Sequence, residues 1–208
     1  MSDALAELLR HPALWRGGSV GGAPATVSTG FRRLDERLPG GGWPLATLTE
    51  LLIATAGIGE IRLLLPALCT LSAATPGEPR WIAWLAPPYL PYAPALVDAG
   101  LDPARMLVIQ PRAGLDMLWA MEQALRSGAC AAVLGWTGAA GDQALRRLKL
   151  AAEEGGSPGF LFRPPSHREE SSPAALRIVL TARDAGLDVE ILKSRGGRPA
   201  RIDRLLIH

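Results

Sequence analysis

The run from Ala46 to Leu68 constrains the fold more than any other part of the chain. Ala46–Ile53 reads as a buried strand, Ala54–Gly59 as a glycine-containing turn, and the leucine-rich stretch from about Ile61 as a helix. Nucleotide-binding folds place a phosphate loop in this setting, with the pattern G-x-x-x-x-G-K-[ST]. Its glycines let backbone N–H groups close on phosphates, its lysine meets the outer phosphates, and its hydroxyl holds magnesium. The same spacing falls here on Ala54, Gly59, Glu60 and Ile61, with Gly57 inside the turn. Glu60 stands at the lysine position and would face a polyphosphate with like charge. Ile61 offers no oxygen to a metal. The expectation is a turn that keeps its architecture and has lost its nucleotide.

The rest of the chain continues the alternation. Strands are expected at Trp81–Leu85, Met106–Ile109, Cys130–Leu134 and Gly159–Phe162, and helices at Ile61–Ala74, Pro91–Ala99, Leu115–Ser127 and Asp142–Glu154. Short apolar runs separated by helices build a mainly parallel sheet with helices on both faces. After Arg163 comes a polar loop, Pro164–Pro173. Three strands follow without helices, at Ala175–Ala182, Leu187–Lys193 and Ala200–Ile207, and read as an antiparallel extension. Upstream, Ser28 or Thr29 is expected to cap a short helix through Leu38, and Gly40–Gly42 with Pro44 to turn the chain into the central strand. Residues 1–26 read as an N-terminal helix and glycine-rich linker, and residues 27–208 as the core domain.

The N-terminal segment places Leu5, Leu8, Leu9, Leu14 and Trp15 near helical spacing, interrupted by Pro12, ahead of Gly17, Gly18, Gly21 and Gly22. An apolar helix on a flexible tether is expected to dock on a partner surface. Of the six tryptophans, Trp81, Trp84 and Trp119 are expected in the core, and Trp15, Trp43 and Trp136 at element ends as interface anchors. Lys and Arg number 22 against 20 Asp and Glu, so no global basic field exists and any nucleic-acid contact must be local. Local candidates are Arg163, His167 and Arg168 in the polar loop, offset by Glu169 and Glu170, and Lys193, Arg195 and Arg198 in the last hairpin. Cys69 and Cys130 lack metal-ligand spacing and read as reduced thiols. The three histidines are scattered, so neither metal nor catalytic triad is expected. No cofactor is implied. The N-terminus is acidic without an apolar signal core, and no apolar run approaches a membrane span, which implies a cytoplasmic protein away from membranes.

Taken in order, the pieces between residues 27 and 207 resemble the core domain of RecA recombinases. Ser28-Thr-Gly-Phe-Arg-Arg-Leu-Asp35 is similar to the recombinase S-T-G-x-x-x-L-D segment. Gln110-Pro-Arg-Ala-Gly114 and Leu125-Arg-Ser-Gly-Ala129 are similar to Q-P-x-x-G and A-R-S-G-A. Ser172–Ala182 resembles the strand after the second DNA loop, and Leu192–Pro199 the K-N-x-x-x-P hairpin. The resemblance implies a RecA-like three-layer α/β/α fold with a mainly parallel central sheet and C-terminal antiparallel strands. It also exposes what is missing. The activating glutamate aligns near Pro88 and the magnesium-supporting aspartate with Trp136, so with Glu60 and Ile61 three parts of one phosphoryl-transfer site are absent. No ATPase is expected, and Trp84, Pro88 and Trp136 are expected to fill the crevice.

A RecA-like core with this turn and the stretch Pro87-Pro-Tyr-Leu-Pro-Tyr-Ala-Pro94 resembles the ImuA family. That resemblance implies a non-catalytic adaptor of SOS-induced translesion DNA synthesis and mutagenesis. Its partners would be the polymerase-like protein ImuB, RecA, indirectly an error-prone replicative-type DNA polymerase, and single-stranded DNA, with self-association. A second relative with the same stripped core is SulA, the SOS cell-division inhibitor that binds FtsZ. SulA-type chains are shorter and lack the long leading segment with Ser28-Thr-Gly30 and Gly40–Gly42, which favours ImuA.

Overall fold

Strand β3 (Leu48–Ile53) has every residue buried because it lies between neighbours on both edges and layers on both faces. The computed structural model describes residues 25–73, 80–111 and 114–207. The apolar stripe of Leu5, Leu8, Leu9, Leu14 and Trp15 lies outside them. In chain order the described elements begin with β1 (Thr26–Val27), the single helical turn α1 (Arg32–Asp35) and β2 (Trp43–Pro44). After β3 come α2 (Glu60–Ala73), β4 (Trp81–Leu85), α3 (Ala93–Asp98), β5 (Met106–Ile109), α4 (Gly114–Arg126), β6 (Cys130–Trp136), α5 (Asp142–Gly155) and β7 (Gly159–Arg163). Strands β8 (Leu176–Arg183), β9 (Gly186–Ser194) and β10 (Ala200–Leu205) complete the chain.

Eight strands form one mixed sheet in the order β10-β9-β8-β3-β7-β6-β4-β5. From β8 to β5 all neighbours run parallel, whereas β8–β9 and β9–β10 are antiparallel. The connections explain the difference. A parallel return needs a crossover, which α2 to α5 supply between β3 and β7 and the loop after Arg163 supplies between β7 and β8, while β8 and β9 are joined by a tight turn that pairs Arg183 with Gly186. Asp188 on β9 ties this region together, meeting Arg183 and Arg201 and accepting the backbone N–H of Arg204 at 2.9 Å. These partners, Arg183 first, pull its carboxyl down to about 2.

Alternation along the strands sends side chains to two cores. Ile82, Trp84, Phe160 and Phe162 join Leu63, Leu64 and Leu68 of α2 on one face. Ala83, Leu85, Val133 and Leu161 join Met117, Met121 and Leu125 of α4 and Leu145 and Leu148 of α5 on the other. Helices α4 and α5 approach closely because Gly155 has no side chain: a Cβ there would lie 1.9 Å from the carbonyl oxygen of Leu125. Four expectations differ in detail. The first helix stops at Asp35, and Ser28 and Thr29 do not cap it; Ser28 Oγ and the Thr29 N–H instead donate to the Asp35 carboxylate at 2.7 and 2.9 Å. Trp43 is fully buried, edge-on to Phe160, rather than an interface anchor. Trp136, also expected as an anchor, is half-buried within an aromatic stack, and Trp15 lies outside the described residues. Trp119, expected in the core, is 61% exposed on the outer side of α4.

Beneath the β7–β8 loop lies a buried charge cluster. Glu50 of β3 is fully buried, and its two carboxylate oxygens receive Arg163 Nη1 at 2.7 Å and Arg177 Nε at 2.8 Å. Arg177 sits directly opposite Glu50 on β8, and Arg163 ends β7 on the other side. Carbonyl oxygens take further guanidinium protons, Arg163 Nη2 bonding to Ala140, Arg177 Nη1 to Glu170 and Arg177 Nη2 to His167, while Arg163 Nε is buried with no partner among the described residues. Arg163 therefore faces inward rather than toward solvent. Replacing Glu50 with alanine should strand two buried cations and cost about 3–5 kcal/mol. Replacing Arg168, which pairs with Glu190 at the surface, should cost about 1 kcal/mol or less. Urea unfolding of the two variants checks the contrast.

Candidate functional site

The turn between β3 and α2 carries three backbone features that an anion would use: two glycine N–H groups and the positive end of a helix. Gly57 and Gly59 adopt φ of 87° and 106°, conformations open to glycine, and their N–H groups turn inward. The anion they meet belongs to the chain itself. The Gly57 N–H donates to Glu60 Oε1 and Oε2 at 2.9 and 3.1 Å, and the Gly59 N–H to Oε2 at 3.2 Å. Glu60 is 3% exposed. Its carboxylate thus fills the cradle that a phosphate oxygen would require. The turn is also covered from outside, since a Cβ on Gly59 would lie 2.2 Å from Cδ1 of Ile207. Ala54 lies at the exposed start of the turn, and Ile61 packs partly on the core.

Beside the turn the crevice at the ends of β4, β6 and β7 is filled by aromatic rings. Trp84 stacks on Trp136 at 5.8 Å between ring centroids, and Trp136 on Phe162 at 4.5 Å. The sequence singled out Trp84 and Trp136 for this role; Phe162 is the third member. Pro88 is exposed and stands on the lip rather than in the crevice. The indole N–H groups of Trp84 and Trp136 are buried with no partner among the described residues.

What remains open is a shallow cleft of about 600 Å³, between α2 and the Pro87–α3 segment. Trp84 and Trp136 form its floor, and Arg62 and Leu65 of α2 one wall. The opposite lip carries Tyr89, Leu90 and Tyr92, exposed by 68, 78 and 72%. Three large side chains so close in sequence and so exposed make a local apolar patch on the surface. The sequence signal was present in the proline-spaced run 87–94, whose prolines keep residues 87–92 out of helix and strand and place Pro94 in the first turn of α3.

The expected nucleic-acid residues are scattered by the fold. Arg163 is buried on Glu50, Arg168 pairs with Glu190, and His167 lies against Glu170 and Gly138. Lys193 Nζ donates to the Ser172 carbonyl at 2.6 Å, and burial, with Arg177 nearby, holds its ammonium below the usual lysine range. Arg195 and Arg198 are exposed on the β9–β10 turn. No group of His, Cys, Asp and Glu suited to a metal occurs among the described residues, and no described helix is long and apolar enough to cross a membrane.

Replacing Glu60 with alanine should leave the two glycine N–H groups without their acceptor and cost about 1–3 kcal/mol in a urea titration. Lysine at this position should be worse, since it adds a cation at the start of a helix.

Comparison with known proteins places this geometry. The family model described as cell division inhibitor SulA matches residues 48–159, just over half of the chain. The cell division inhibitor SulA of Photorhabdus laumondii is 32% identical over 116 residues, covering 56% of this chain and 63% of that protein. That of Serratia marcescens is 33% identical over 103 residues, covering 50% and 59%. The chain thus spans about 60% of the length of the curated relatives it matches. The crystal structure of SulA from Pseudomonas aeruginosa aligns with a TM-score of 0.46 at 28% identity, over 56% of this chain and 97% of that one. These findings overturn the ImuA assignment and, with it, the RecA-like label for the fold, the translesion role and the expected partners ImuB, RecA, error-prone polymerase and single-stranded DNA. The physical reason is visible in the segment that favoured ImuA. Ser28, Thr29 and Asp35 bond to one another around a local turn, so their pattern reports local folding, and they lie outside the matched block. The mixed sheet described above is that of a chain that belongs to the SulA family.

Proposed function

We propose that this protein inhibits cell division within the SOS response by binding FtsZ, and that it acts without catalysis or nucleotide. The observation that carries the reading is membership of the SulA family across β3 to the start of β7, the block that builds the turn, the aromatic crevice and the cleft. The site chemistry agrees with a binding role. Glu60 occupies the turn, three aromatic rings occupy the crevice, and the carboxylates of a phosphoryl-transfer centre are replaced by Pro88 and Trp136. In this reading Tyr89, Leu90 and Tyr92 anchor the partner. Each offers a large side chain already held in the open, so binding removes apolar surface from water with little rearrangement.

Sedimentation of FtsZ polymers tests the proposal. The protein should reduce the pelleted fraction, with no ATP turnover of its own. Changing Tyr89, Leu90 and Tyr92 together to serine should weaken the effect at least about tenfold, since losing one such anchor typically costs 1–2 kcal/mol or more. The thermal midpoint should be nearly unchanged, because these side chains are exposed. Undiminished polymer in the presence of the unaltered protein would remove the reading. Full inhibition by the triple variant would move the contact to another surface.

A further inference from the structure

The cleft of about 600 Å³ has an aromatic floor and an apolar lip, and its two walls carry opposite charges. Arg62 stands on the α2 side and Asp98 on the α3 side. Both are exposed, and neither has an ion pair among the described residues. Glu60, the other charged group at its edge, is already bonded to the Gly57 and Gly59 N–H groups. An occupant of matching chemistry brings several apolar side chains together with one acid and one base. Covering such a surface removes apolar area from water.

The chain itself carries such a segment. The apolar stripe of residues 5–15 is accompanied by Glu7 and Arg10. A helical run this short is marginal in water and needs a surface to bury against. The described chain starts near the wall of the cleft. Strand β1 packs beside α2, and a Cβ on Gly30 would lie 2.5 Å from Cβ of Pro66 on that helix. Pro66 follows Leu65, which lines the cleft. From Ala25 to Gly30 is at most about 18 Å of chain, and residues 16–24 reach up to about 30 Å, so the tether spans the gap. Gly17, Gly18, Gly21 and Gly22 within it restrict its direction little.

We propose that residues 5–15 lie in this cleft of their own domain in the free protein and leave it when the partner binds. The leucine and tryptophan side chains cover the floor and the lip, with the acid turned to Arg62 and the base to Asp98. The tether holds the segment at an effective concentration on the order of millimolar, so a weak contact keeps it docked and a tighter binder displaces it. Displacement by FtsZ rests on the binding role given above to Tyr89, Leu90 and Tyr92, whereas the cover stands without it.

Hydroxyl-radical footprinting of the full chain, with no partner added, reads the cover. Changing Leu8, Leu9 and Trp15 together to serine should speed labelling of Tyr89 and Tyr92 about tenfold, the factor for a site open in about one molecule in ten. Trp119, on the opposite face of the sheet, should label equally in both proteins. In FtsZ sedimentation the same variant should act at about one tenth of the concentration. A short bismaleimide should join Ala6→Cys to Pro88→Cys within one chain, with the single Ala6→Cys variant as control for Cys69. Equal labelling of Tyr89 and Tyr92 in the full chain and the serine variant would overturn the cover and leave the FtsZ reading untouched. Protection that is lost on dilution would put the segment on a second copy and overturn closure within one chain. Faster labelling in the variant, with FtsZ polymers unaffected by either protein, would uphold the cover and remove the partner reading instead. Should the serine variant not fold, absence of the crosslink within one chain would have the same force as equal labelling.

Discussion

A carboxylate with no access to water sits on the central strand, and the middle of the sheet is arranged around it. Glu50 could not remain charged there alone, because burying an isolated ion costs far more than a domain can spare. Arg177 answers it from β8 and Arg163 from β7, so the strands on either side of β3 are joined to it by charge as well as by backbone. The two cations then need further acceptors, which the chain supplies as carbonyl groups of Ala140, His167 and Glu170. A polar loop is thereby fixed over the sheet by its backbone, although its sequence suggests a solvated segment. Such a cluster adds little net stability compared with an apolar core of the same volume; what it does in this fold is join three strands and one loop through shared contacts.

Glu60 shows the same chemistry turned to a different end. Glu50 is neutralised by opposite full charges, whereas Glu60 is held by two peptide N–H groups and a helix start. The first arrangement builds the scaffold; the second closes a cavity that the strand–turn–helix geometry would otherwise leave open. With the aromatic stack beside it, the crevice becomes a floor, and the exposed Tyr89–Tyr92 lip becomes the prominent feature of that end of the molecule.

Much of this was legible in one dimension, for a physical reason. Strands at Trp81–Leu85 and Met106–Ile109 are found with the expected limits, and α2, α4 and α5 begin within one residue of expectation, because apolar runs bounded by glycine and proline leave few alternatives. That Glu60 and Ile61 stand where a phosphate loop carries a lysine and a hydroxyl was equally plain. The use of Glu60 as a replacement anion was not, since it depends on where two backbone N–H groups point. Arg163 was misread as a solvent-facing cation because its partner lies 113 residues earlier on another strand. Family assignment failed at a different level. Ser28, Thr29, Asp35 and the glycines after Leu38 recur wherever a chain must make these turns, so they cannot separate two families with a shared core.

The occupied turn has a thermodynamic consequence. A protein that binds an anion only when folded gains stability in proportion to the logarithm of ligand concentration, and its folded population follows the cell's supply of that ligand. Here the anion is covalently part of the chain, with an effective concentration set by geometry and no translational entropy to lose on docking. A free phosphate or nucleotide would have to displace Glu60 from these N–H groups before it could stabilise the fold through this turn.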